Sequence, residues 1–165
     1  MEEYREILAQ QEKSLAPMLK KKHSLICKQL AYDDETAALY IAKPHWTNRF
    51  DPQRKSTIGI FCTIWVSPEL LEQQQFAYNI HSLRLRQLSG FKLTSRKFAS
   101  DFRAAVKPTV ESWPNIRLDY GPLTLLEGRC ACTLDTFSAS VSERVNGFVS
   151  IHHKIEQLLE AAHVQ

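Results

Sequence analysis

A chain of 165 residues, 44% apolar and 24% charged with a formal net charge of +3, is large enough to bury a core without disulfides or a structural metal and is read as one domain over 1–165. Its four cysteines, Cys27, Cys62, Cys130 and Cys132, show no paired C-x-x-C spacing, which speaks against a zinc site and for reduced, buried thiols. No run reaches the roughly 20 apolar residues of a membrane span, and Glu2, Glu3 and Glu6 stand where a signal peptide carries bases, so the cytoplasm is the expected location.

Tyr4, Leu8, Gln11 and Leu15 follow helical spacing, and Lys20, Lys21 and Lys22 are placed to meet the negative end of that helix, which is expected to close near Lys21. Leu25 to Leu30 and Ala37 to Lys43, separated by Asp33, Asp34 and Glu35, read as a β-hairpin with Leu39 and Ile41 opposite Tyr40. After a long connection over 44–56, the stretch 57–66 sets Ile58, Ile60, Cys62, Ile64 and Val66 on one face and Phe61 and Trp65 on the other. Two apolar faces mark a central strand.

Ser67, Pro68 and Glu69 open a short helix to about 74. The next segment, 76–88, is read as a strand in which Leu83 and Leu85 alternate with Arg84 and Arg86, against a competing helix through Phe76, Ile80 and Leu83. A second long helix starts from Thr94 or Ser95 and runs to Ser112, grouping Phe98, Phe102, Ala105, Thr109 and Trp113 and setting Arg96, Arg103 and Lys107 opposite. Over 122–134 a strand faces Leu126, Cys130, Cys132 and Leu134 inward, and Gly128 marks a bulge or a close backbone approach. A long amphipathic helix from Asp135 to Ala162 closes the chain, its stripe of Phe137, Val141, Val145, Phe148, Ile151, Ile155, Leu158 and Leu159 interrupted by Arg144 and His152.

This order gives an α+β class: an antiparallel sheet of four to five strands packed against N-terminal, middle and C-terminal helices. Three groups of residues carry chemistry. The connection over 43–56 concentrates His45, Trp46, Asn48, Arg49 and Asp51, and an exposed indole beside an imidazole and a guanidinium suits a planar or anionic ligand. Arg144 and His152 lie two turns apart on one helical face, with Glu127 or Asp119 as counter-charges. Arg84, Arg86, Arg96, Arg103 and Lys107 belong to a locally basic stretch whose only acid is Asp101. Clustered cations are a permissive nucleic-acid signal, and Tyr40, Phe61, Trp65 and Tyr78 would supply a stacking platform.

Motifs for catalysis are missing: there is no phosphate-cradling glycine loop, no H-E-x-x-H and no G-x-S-x-G, and no cofactor or metal is called for. A histidine base among His45, His81 and His152, oriented by Asp51, Asp119 or Glu127, would make a small hydrolase or transferase. The expected function is therefore binding, of a protein partner or a compact anionic ligand through His45, Trp46, Arg49, Arg84, Arg86, Arg144 and His152. Nucleic-acid binding through Arg96, Arg103 and Lys107 is the alternative.

Overall fold

A computed structural model describes residues 1–31, 33–49 and 56–164. Helix α1 spans Glu2–His23, with Glu2 and Glu3 in its first turn and Lys20, Lys21, Lys22 and His23 in its last, and Ser24 ends it in the left-handed conformation. The hairpin follows as β1 (Ile26–Ala31) and β2 (Ala37–Ala42). In its turn the Asp33 carboxylate accepts from the amides of Glu35 and Thr36 at 2.8 and 2.6 Å, and these bonds hold its carboxyl below the usual carboxylate range.

A single 3-10 turn, Pro44–Trp46, leads into the short β3 (Thr47–Arg49), then come the central β4 (Ile58–Val66), α2 (Pro68–Glu72) and β5 (Gln75–Leu83). Helix α3 (Ser95–Val110), β6 (Thr124–Ala131) and α4 (Leu134–Ala161) complete the chain. The sheet is antiparallel in the order β1-β2-β4-β5-β6, with β3 beside the start of β4. The three long helices lie side by side, α4 between α1 and α3. No helix among the described residues is long and apolar enough to cross a membrane.

Register assigns the faces. Cys62 pairs with Ile80 and Ile64 with Tyr78, and Tyr78 with Gly128 and Ile80 with Leu126, so these residues share one face. Ring contacts of Phe76 with Phe137 and of Tyr78 with Phe148 identify it as the helix side. The opposite face carries Tyr40, Phe61, Thr63, Trp65, Asn79, His81 and Glu127. Tyr78 therefore does not join Tyr40, Phe61 and Trp65 in a platform, and Tyr40 and Phe61 are themselves buried.

Three expectations need correction. The strand through 76–88 stops at Leu83. Arg84 turns left-handed at φ 51° and starts a 3-10 turn, Leu85–Gln87, which buries Leu85 and leaves Arg84 and Arg86 exposed. In α3 the buried positions are Phe98, Ala99, Phe102, Val106 and Val110, one place on from Ala105 and Thr109, because the two valines offer the larger apolar side chains. Cys132 and Leu134 lie beyond β6, where Leu134 opens α4 partly exposed.

Candidate functional site

The connection after β2 holds the densest convergence of chemistry. Gly59, at φ +141°, lets the 3-10 turn press on β4: a Cβ there would overlap the Trp46 carbonyl oxygen and stand 2.6 Å from Thr47 Cα. Trp46 is consequently fully buried. This corrects the expected exposed stacking surface, since an indole held against a strand hides its apolar area while its one N–H finds a partner.

That partner is Glu156 on α4, whose Oε1 accepts from Trp46 Nε1. The same oxygen lies 2.8 Å from His45 Nε2 and 3.9 Å from Lys43 Nζ. One carboxylate thus gathers an indole, an imidazole and an ammonium from four successive residues. His45 itself is about half exposed, with a side-chain accessibility of 49%. Close by, the half-buried His152 donates from Nδ1 to the Val149 carbonyl at 2.7 Å and packs its ring edge-on against His23 at 5.4 Å. Burial, then the charges of Lys43, His23 and His153, push its imidazole below the ordinary range, against the Val149 hydrogen bond.

A groove of about 580 Å³ lies beside this cluster, between the last turns of α1 and the edge strand β1, and Pro44 is part of its lining. Ala16, Leu25 and Cys27 make its lining mostly apolar, and Lys20 and Lys28 are among the residues that line it. The neighbouring edge is already occupied: Glu12 accepts from the Gln29 amide at 2.7 Å, and the Leu25 amide bonds Leu19 O at 3.1 Å. Burial, with Glu12 adding to it, pushes the Cys27 thiol up to about 12, so it stays protonated and supplies no nucleophile at neutral pH.

The remaining candidates divide. Asn48 donates to Gln87 O at 2.6 Å and accepts from the Ser89 amide at 2.8 Å, so the strand ending at Arg49 is tied to the turn carrying Arg86. Arg84 reaches the Thr57 carbonyl at 2.9 Å. Asp51 lies outside the described residues. Arg144 and His152 are not brought together. Arg144 is buried, its guanidinium 5.5 Å from the Tyr78 ring centroid and 5.2 Å from that of Trp113, with Nη1 lacking a hydrogen-bond partner. Its ionic contact is the exposed Glu143 at 3.4 Å, not Glu127 or Asp119.

Arg96 and Lys107 are exposed on α3, but Arg103 is committed. It donates to the carbonyls of Leu125, Tyr120, Gly121 and Thr124 at 2.8–3.0 Å and so clamps the turn that leads into β6. Lys97 pairs with Asp101 at 2.8 Å. The basic stretch is therefore a mixture of structural and solvated cations.

Sequence reasoning singled out His45 and Trp46 but missed Glu156, Lys43 and His23. Glu156 occupies an unremarkable polar position on α4, and its contacts are made across 110 residues of chain. Asp119 is engaged by Arg117 and Glu127 by Asn79, so neither orients a histidine base. Among the described residues no group of three or more His, Cys, Asp or Glu side chains is placed to hold a metal. Comparison with known protein families, with curated proteins and with solved structures finds no match.

Proposed function

We propose that this chain is a cytoplasmic binding domain for a compact amphipathic anion, an alkyl or aryl carboxylate whose apolar body enters the β1-edge groove and whose head group meets Lys20 and Lys28. The observation that carries the reading is the combination itself: a mostly apolar groove of about 580 Å³ that two lysines help to line, a volume within the usual range for small-molecule sites. The Glu156 knot supports it by holding Pro44, which lines the groove, between Lys43 and His45. Four unpaired thiols suit a reducing compartment.

A small ligand fits better than a protein strand. An extended peptide adding to β1 needs the outward amide of Gln29, and Glu12 already takes it. Displacement of bound anilinonaphthalenesulfonate by straight-chain carboxylates tests the reading. Affinity should rise roughly fourfold per added methylene while the groove fills, from about 0.8 kcal/mol of apolar burial each. It should also fall in Lys20→Glu and Lys28→Glu variants. Affinity independent of chain length, or unchanged by both charge reversals, would overturn it.

A further inference from the structure

The other edge of the sheet carries a second cleft of different chemistry. It encloses about 410 Å³ at β6 and is lined by Gln73, Gln75, Arg117, Tyr120, Glu127 and Arg129, with Asn115 and Gly128 completing it. Every lining residue except the glycine brings a hydrogen-bonding side chain.

Its carboxylate is held from inside the sheet. Thr63 donates to Asn79 Oδ1, and Asn79 Nδ2 donates to Glu127 Oε1 at 3.3 Å. Thr63 and Asn79 are 0% and 1% exposed, so a row of polar side chains crosses β4 and β5 where neighbours such as Phe61 and Ala77 are apolar. Buried polar groups need partners, and this row terminates at the cleft. The Tyr120 phenol is raised, first by its interaction with Glu127 and then by burial.

The walls are equally fixed. Arg117 grips both carboxylate oxygens of Asp119 at 3.0 Å and lies 4.9 Å over the Tyr120 ring. Asn115, at φ +49°, donates to the Arg129 carbonyl at 3.0 Å. Arg129 is exposed and forms no ion pair among the described residues. It shares the strand face with Glu127 two residues along, a spacing of about 6.6 Å between backbones.

An oriented carboxylate and an uncommitted guanidinium on one face complement a ligand carrying both charges, and the side-chain amides of Gln73 and Gln75, which also line the cleft, each offer a donor and an acceptor. We infer that this cleft binds a small zwitterion, an α-amino acid with a carboxamide side chain: Glu127 takes the ammonium, Arg129 the carboxylate, and Gln73 and Gln75 the amide. The site is independent of the β1-edge groove.

The test titrates the nitrogen-15-labelled full chain with L-glutamine, N-acetyl-L-glutamine and L-glutaminamide, following backbone amides by NMR. Saturable shifts confined to Gln73, Gln75, Tyr120 and Glu127 to Arg129 are expected for L-glutamine. Each analogue, lacking one charge, should bind at least about tenfold more weakly, one charged contact's worth. The analogues need no altered protein, so a folding defect cannot mimic the result. Glu127→Gln should weaken L-glutamine while leaving N-acetyl-L-glutamine unchanged, and Arg129→Gln should do the same for L-glutaminamide. Equal binding of the three compounds, shifts elsewhere, or no saturation by roughly 10 mM would overturn the assignment.

Discussion

Gly59 at the start of the central β4 and Gly128 in the edge strand β6 each admit a group that a Cβ would overlap. At Gly59 the obstacle is the Trp46 carbonyl oxygen and the Thr47 backbone, and φ is +141°. At Gly128 the obstacle is the Tyr78 side chain, whose hydroxyl bonds Pro114 O at 2.8 Å, and φ lies outside the left-handed region. At Gly128 the far end of a side chain must swing aside, whereas at Gly59 the backbone itself must move. The approach at Gly59 is therefore expected to tolerate a Cβ less than the approach at Gly128.

The contrast is broken or sharpened by substitution. Gly59→Ala should destabilise the fold by about 3 kcal/mol or more, combining strain at positive φ with a backbone clash, whereas Gly128→Ala should lose about 2 kcal/mol by overpacking. Urea unfolding of both variants reads the difference, and equal losses would remove the distinction between the two approaches.

The two enclosed arginines extend it. Arg103 satisfies four carbonyls and Arg144 sits between rings with Nη1 unmatched. Arg103→Met should cost about 2 kcal/mol, since it strips the carbonyls at the start of β6 of their donor. Arg144→Met should change stability by less than about 1 kcal/mol, because a well-packed apolar side chain replaces a poorly paired buried charge. A reversed order in thermal melts would mean that the aromatic cage carries the fold.

The smallest effect concerns pH. His152 holds its proton less firmly in the folded chain than in the unfolded one. Its contribution is thus fully present above the unfolded imidazole value and declines as pH falls through it, levelling off below the depressed folded value. His152→Gln should flatten the decline in Tm between about pH 7 and 5. An unchanged profile would place the pH sensitivity elsewhere.

Much of the architecture was legible because burial follows local periodicity. The alternation around Ile60, Cys62 and Ile64 identifies β4 with both faces, the Phe137 to Leu159 stripe identifies α4, and of the bulge or close backbone approach that Gly128 signals, the structure has the Tyr78 side chain close against it. Periodicity says which side of an element is inside, but not where polar side chains from distant segments meet. Glu156 is silent in its own helix and becomes informative only when α4 docks beside the Lys43–Trp46 turn. Likewise Glu127 shows nothing locally of the Thr63 and Asn79 row behind it. Leu85 was misplaced for a related reason, since a left-handed Arg84 leaves no mark on an alternating pattern.

The most direct measurement is an NMR titration of the full chain with decanoate. Binding at the β1 edge requires the largest shifts at Ala16, Lys20, Leu25, Cys27 and Lys28, moving together on one saturation curve that Lys20→Glu displaces to weaker affinity. Shifts scattered over α3 at Arg96 and Lys107, or absent from the groove while other residues respond, would contradict it.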